Sequence, residues 1–547
     1  MIAVIFLAVL IVFYLAYKYY GGFLNRTFDI DDDKTTPSHT DYDGVDRVPT
    51  KTMVLFGHHF SSIAGAGPIV GPIIAAAAFG WLPAILWIVI GSIFIGGLQD
   101  FSSLIASVRH KAKSIAEIAH EYMSPLSYRL FLIFIWLTMI YVLIVFIDLT
   151  ATSFVAHPEV ATSSSFFIFL AVLMGFSLYR LKVPLLWASL IFIPLIFAGI
   201  WIGHIYPLGQ NVLPEFFTEH PGRAWSIILI IYAFIAASAP VWILLQPRDY
   251  LSSFLLYSTI LAAFLGILLG GFSLEYPAFT TWADIDRGTL FPILFITIAC
   301  GAISGFHSIV ASGTTSKQLD RETDARKIGY GGMLIEGLVA VIALFTVVIL
   351  VKGDPILSKA PLLVFGAGLG NFLSKLGVPY TMGESFGILA VSTFLLTTLD
   401  TSTRLGRYIL EEFVDIKGKY VRFVSTAATL AIPLLFTFIT LYDSQGNPTP
   451  IWKAVWPVFG STNQLLAGLA LLVVYVWRKK QCKSAQFIFI PMVFMLIMTL
   501  WALGQLIYQA GFTTIGIIAF ILLVLAIILV YEAFRTIFLT GKIVAKD

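Results

Sequence analysis

The chain has 547 residues, of which 58% are hydrophobic and only 12% charged, with a mean hydropathy of +0.90. Soluble globular domains carry about 25% charged residues, so this composition excludes a soluble protein and indicates a polytopic membrane protein. The net charge of +3 is too small to point to a nucleic-acid partner, and two cysteines, Cys300 and Cys482, are too few for a disulfide framework and read as inert thiols.

Fifteen apolar segments are long enough to cross a bilayer, each of roughly 20 residues. In chain order they are 2–20, 53–79, 82–107, 130–156, 164–180, 183–206, 224–246, 252–271, 289–311, 330–351, 379–399, 423–441, 451–477, 486–509 and 514–535. The first lacks a basic leader and a small-residue cleavage site, so it reads as a retained helix rather than a signal peptide. The following loop, 21–52, is rich in aspartate: Asp29, Asp31, Asp32, Asp33, Asp41, Asp43 and Asp46. Its spacing does not match a calcium-binding EF-hand, and it reads as a solvated acidic loop.

The second segment holds the most informative stretch, GHHFSSIAGAGPIVGP at residues 57–72. Proline removes a backbone donor and glycine weakens a helix. Within hydrocarbon such a break is tolerated only where the freed backbone faces protein, water or a ligand. A broken helix carrying ionisable residues is how transporters build a binding site. The ninth segment holds a related stretch: Gly305-Phe306-His307-Ser308 answers Gly57-His58-His59-Phe60-Ser61. Each then runs into small residues, Ala64-Gly65-Ala66-Gly67 in one and Ala311-Ser312-Gly313-Thr314 in the other. The two segments run in opposite directions, as an inverted repeat requires. A third interruption, Ala236-Ala237-Ser238-Ala239-Pro240, lies in the seventh segment. Five helices per repeat make the seventh segment the partner of the second; seven per repeat assign that place to the ninth. The residues alone leave both open.

His58, His59 and His307 are the sharpest functional candidates. Histidine titrates near neutral pH and can carry a coupled proton. It can also bind metal, or stay neutral and satisfy freed carbonyls. Adjacent His58 and His59 point about 100° apart on a helix, which disfavours a shared metal site. Acids within or at the ends of spans are Asp100, Asp148, Glu336, Glu384, Asp400 and Glu532. Asp148 lies deep and reads as a proton-relay candidate. Asp100 and Asp400 lie near the inner end, as gating residues or as partners of Arg109 and Arg404. Asn463 and Gln464 make a polar break in the thirteenth segment, lining a pathway or bonding backbone across helices.

With the N-terminus outside, 28 of the 34 lysines and arginines fall on the inner side and six on the outer. This alternation follows the positive-inside rule and places the C-terminus inside. The 352–378 stretch, with three lysines on the outer side, reads in part as a re-entrant loop. No P-loop and no HExxH motif occurs, so an ATP-driven pump is disfavoured and concentrative transport would have to draw on an ion gradient.

Five motifs resemble the carbon starvation protein A family of bacterial membrane transporters. They are residues 57–72 (GHHFSSIAGAGPIVGP), 99–101 (QDF), 304–317 (SGFHSIVASGTTSK), 397–412 (TTLDTSTRLGRYILEE) and 456–469 (WPVFGSTNQLLAGL), in that order along the chain. The resemblance implies an inner-membrane protein related to the amino acid–polyamine–organocation superfamily. Its expected fold is all-α, with about 15 transmembrane helices and a LeuT-like five-plus-five inverted-repeat core. Span two would then be the first core helix, span seven the sixth and span nine the eighth. The chain divides accordingly into residues 1–52 (first helix and acidic loop), 53–400 (repeat core) and 401–547 (additional helices), all one membrane domain.

The expected function is secondary active transport of pyruvate or short peptides, coupled to protons, by alternating access. The rival readings are a channel-like facilitator, a membrane nutrient sensor and a membrane enzyme. The small-molecule substrate and the bilayer are the expected partners. The coupling ion is H+, with Na+ as the alternative; no cofactor is expected, and His58, His59 and His307 are weak metal candidates. The unwound parts of spans two and seven would hold the substrate. The expected site comprises His58, His59, Ser61, Gly65, Gly67, Ser238, His307, Ser308, Ser312 and Asp148, with Asp100, Asp400, Asn463 and Gln464 as gating or structural polar groups.

Overall fold

The computed structural model describes residues 1–538 apart from 44–46, 123, 209–218, 241–242, 285–287, 416–417, 419 and 443–446. Asp46, Arg287, Lys417, Lys419, Lys542 and Lys546 thus lie outside the described residues. Helices α1 (Ile2–Thr27), α2 (Thr52–Ile63), α3 (Gly67–Phe79) and α4 (Trp81–Arg109) open the chain. A short helix, α5 (Ile115–Tyr122), leads into α6 (Pro125–Ala156), α7 (Pro158–Tyr179), α8 (Leu185–Ile205), α9 (Pro221–Ser238) and α10 (Leu245–Leu269). Next comes α11 (Leu290–Thr297). It is followed by α12, which begins as Gly305–Val310 and continues through a π-helical turn, Ala311–Thr315, to Ser316–Gln318. Then come α13 (Arg326–Val348), α14 (Pro361–Ser374), α15 (Tyr380–Val414), α16 (Val421–Phe436), α17 (Ile451–Lys480), α18 (Gln486–Ala510) and α19 (Thr514–Phe538).

Among the described residues, twelve single helices are long and apolar enough to cross a membrane, and the pair α2–α3, bent by 46°, makes a thirteenth. The broken pair α11–α12 and the shorter apolar α16 occupy the two remaining segments expected from the sequence. The protein is therefore a nearly all-helical, multi-pass membrane protein, with two antiparallel pairs of two-residue strands, Ala283–Asp284 with Gly288–Thr289 and Leu441–Tyr442 with Pro448–Thr449. Helix α14 has 14 residues, about 21 Å of helix, which falls short of the hydrocarbon thickness of about 30 Å. It packs antiparallel against the first turns of α15, with Gly366 beside Ile388 and Gly370 beside Tyr380. It lies in the 352–378 stretch, which reads from the sequence in part as a re-entrant loop.

The first break follows from local chemistry. Helix α2 stops at Ile63, and α3 restarts with Pro68 in its first turn, where a missing N–H costs nothing. The second break, 298–304, separates α11 from α12. The two breaks lie against each other, running in opposite directions. A side chain at Gly67 would strike Cys300, and one at Gly71 would strike the Thr297 carbonyl. Glycine is required at both because backbone and side chain approach this closely.

The packing then repeats itself. Helix α2 lies on α10 as α12 lies on α17; α6 lies on α9 as α15 lies on α16; α10 reaches α15 as α17 reaches α6. The repeat is five plus five, with the α7–α8 hairpin inserted between the third and fourth helices of the first half. That insertion corrects the expected pairing: span nine, not span seven, is the counterpart of span two. It also corrects the 400 boundary, which falls inside α15, while the second half of the core runs on through α17 to Lys480. The acidic loop is docked rather than free. Thr36 and Ser38 donate to the Leu319 carbonyl at 2.6 and 2.8 Å, and Asp29 pairs with Lys483.

Candidate functional site

His307, on the first turn of α12, is buried between two carboxyl groups. Its Nδ1 stands 2.9 Å from Asp100 Oδ2 on α4, and its Nε2 stands 3.1 Å from Glu336 Oε2 on α13. All three side chains have zero exposure. His307 Nδ1 and Asp100 Oδ2 are hydrogen-bonded, whereas Asp100 Oδ1, His307 Nε2 and both Glu336 oxygens have no hydrogen-bond partner among the described residues, so Glu336 faces the imidazole by charge and distance alone. With the imidazole protonated and both acids ionised, the triad carries one net negative charge; one further proton makes it neutral. Net charge is costly away from water, so the protonation states of the three groups are tied to one another.

His59 sits close by. Its Nδ1 is 2.8 Å from Thr315 Oγ1 in the π-turn of α12, and its ring lies over Gly332, one turn of α13 before Glu336. Its Nε2 has no partner among the described residues. His58 turns the other way, 3.7 Å from Asp249 Oδ2 and partly exposed. Asp249 accepts from Arg248 at 3.0 Å, and Arg248 pairs with Asp400. Tyr232 bridges this second cluster, accepting from Arg248 at 3.0 Å and donating to Asp400 at 2.8 Å. The three histidines thus have three different sets of partners.

A cavity of about 1300 Å³ reaches His58 and Asp249 from the surface; the triad and His59 do not line it. His58, Ser62, Asp249, Ile309 and Ser312 line it. It opens among Arg47, Lys111, Lys113, Arg180 and Lys317, which belong to loops and helix ends assigned to the inner side by their basic content. The protein is open toward that side.

The remaining expected residues are dispersed. Ser61 donates to the His58 carbonyl at 3.2 Å, Ser308 to Gly305, and Ser312 to Ser308. Gly65 faces Thr398 on α15, and Gly67 faces Cys300. Asn463 and Gln464 serve the second break. Asn463 Oδ1 accepts from Phe306 N at 3.0 Å, and Gln464 Nε2 donates to the Phe295 carbonyl at 3.0 Å. Asp148 stands apart from the histidines; its Oδ2 accepts the Trp452 N–H at 2.8 Å, at the start of α17. A carboxylate there meets the positive end of the helix. Ser238 ends α9, next to carbonyls held by Arg404 and Arg407, and not at the break. Neither Asp100 nor Asp400 takes the expected nearby arginine: Arg109 pairs with Glu322, and Arg404 donates to Ala236 and Ala239.

Sequence reasoning did not assign Glu336, Arg248, Asp249, Tyr232 or Thr315 to the site. Glu336 and Arg248 were detectable as charges within or beside apolar segments. Their partners depend on helix packing that no local pattern encodes.

A family model described as "Carbon starvation protein CstA" matches residues 1–356 and 354–502. The chain is 32% identical to the "Pyruvate/proton symporter BtsT" of Escherichia coli K12, over 91% of this chain and 81% of that protein. It is 33% identical to the "Peptide transporter CstA" of the same organism, over 90% and 79%. It is 31% identical to the "Peptide transporter CstA" of Bacillus subtilis 168, over 95% and 94%. Among solved structures, the Eremococcus coleocola manganese transporter aligns with a TM-score of 0.47 at 15% identity, covering 91% of this chain and 99% of that one. MhsT in complex with L-phenylalanine aligns with a TM-score of 0.46 at 13% identity, covering 89% and 99%.

Proposed function

This chain belongs to the carbon starvation protein CstA family, and from that premise we propose that it is a secondary active transporter importing pyruvate or short peptides together with protons. The observation that carries the proton coupling is the buried Asp100–His307–Glu336 triad behind the inward cavity. A proton entering from outside neutralises the triad. In the inward-open state it leaves by way of His59 and the cavity. The substrate occupies the inner part of the cavity, near His58, Ser62 and Ser312, on the helices that carry the two breaks. Alternating access then moves the broken helices α2–α3 and α11–α12 relative to α6 and α15.

The same reading places the protein in the bacterial cytoplasmic membrane, N-terminus outside and C-terminus inside. Its basis is the 28-to-6 division of basic residues. H+ is the coupling ion, because the triad takes up a proton without needing a metal ion.

The test is uptake of labelled pyruvate into proteoliposomes, with a dipeptide panel in parallel, with and without an inward proton gradient. Accumulation that collapses with a protonophore supports the proposal and identifies the substrate. Uptake that never exceeds equilibrium turns the reading to a facilitator, and binding without uptake turns it to a sensor.

A further inference from the structure

Both proposed substrate classes carry a carboxylate, and the one acid between the histidines and the cavity, Asp249, is already compensated by Arg248. A substrate carboxylate leaving water therefore needs a positive partner of its own along the path. Six basic residues line the cavity: Arg47, Lys111, Lys113, Arg180, Lys317 and Arg404. Five sit on loops, helix ends or the short last turn of α12, and Lys113 is already paired with Glu121. Arg404 alone sits inside a long helix, α15, toward its inner end and one turn from Asp400.

Its geometry is that of a fixed group. The Nη2 donates to the Ala236 and Ala239 carbonyls at 3.1 and 2.9 Å, which clamps one edge of the guanidinium on the end of α9. The Nε is buried and has no hydrogen-bond partner among the described residues. Thr401, Leu405 and Tyr408 continue the same helical face along the cavity. With Nη2 held by the two carbonyls and Nε buried, Nη1 is the donor left for a carboxylate, as a single charge-assisted hydrogen bond.

We propose that Arg404 is the specificity-determining residue that receives the substrate carboxylate as it passes between the two breaks and the inner opening. This rests on the proposed import of a carboxylate substrate. A bond from guanidinium to carboxylate is a strong, charge-assisted one, so its loss should weaken recognition by roughly tenfold or more.

The experiment uses the full chain in proteoliposomes and whichever of labelled pyruvate or labelled dialanine the wild type accumulates. Competitors are the free acid and its uncharged methyl ester or amide. Arg404→Gln is expected to raise KM by roughly tenfold or more and to abolish the preference for acid over ester. Arg404→Lys should restore part of that preference. Arg407→Gln removes a bond to the neighbouring Ala237 carbonyl without touching the cavity, and should leave KM unchanged. An unchanged KM and acid preference in Arg404→Gln overturns the inference, as does an equal rise in Arg407→Gln. If the wild type accumulates no carboxylate at all, the functional reading itself has failed, and Arg404 falls with it.

Discussion

Glu336 Oε2 lies 3.1 Å from His307 Nε2, on two helices brought together only by the second half of the inverted repeat. Both side chains are fully buried, and neither lines the cavity that opens to the surface. Glu336→Gln keeps the volume and removes the titratable group. It should abolish gradient-driven accumulation while substrate binding persists. The measurement is protonophore-sensitive uptake alongside equilibrium binding; full accumulation in the variant would remove Glu336 from the coupling.

Arg248 is fully buried and compensates Asp400 and Asp249. Removing one partner of a buried pair leaves an unpaired charge, a cost of about 3–5 kcal/mol. Arg248→Met should therefore lower thermal stability in detergent strongly. The double variant Arg248→Met with Asp400→Leu should recover the part of the loss due to Asp400, leaving the part due to Asp249. Equal destabilisation of the single and double variants would mean that charge balance is not what this cluster supplies.

Asn463 joins α17 to the second break through Phe306 N, Ser304 and Cys300. Asn463→Ala leaves a buried N–H unsatisfied at the start of α12, which costs about 1–3 kcal/mol. Asn463→Asp keeps the acceptor and should cost less if its carboxyl is protonated. Thermal unfolding of the two variants separates loss of the acceptor from loss of volume.

The hydrogen bond from Lys483 holds the Asp29 carboxyl below the usual carboxylate range. A lowered value means that the pair contributes above the ordinary value of about 4 and is lost as pH falls through the folded one. The pair is exposed, so its contribution is below about 1 kcal/mol. A spin label at Thr35 should gain mobility only as pH falls below about 4 in the wild type. In Asp29→Asn the label should lack this step. Identical profiles would mean that Asp29 does not hold the loop.

Cys482 is exposed, and Cys300 is buried. Under the proposed orientation, a membrane-impermeant maleimide labels Cys482 in inside-out vesicles and leaves it unlabelled in right-side-out ones. Labelling from the outside would invert the assignment.

The sequence by itself determined the class, the crossings and the two breaks. Mean hydropathy and span length report directly on solvation by lipid, and proline and glycine at Gly65–Pro68 and the small residues after Cys300 report directly on where a helix yields. It also isolated His307, because an ionisable group within an apolar run needs a reason to be there. Tertiary structure decided the partners. Asp100 looked interfacial because its neighbour in sequence is Arg109, yet α4 carries it inward to His307. Asp148 looked like a relay because of its depth, yet the start of α17 takes it as a cap. The pairing of span two with span nine was hidden by the α7–α8 hairpin, which shifts the count by two without altering direction. Helix rotation and inter-helix approach set these contacts, and both depend on packing over the whole core rather than on any local run of residues.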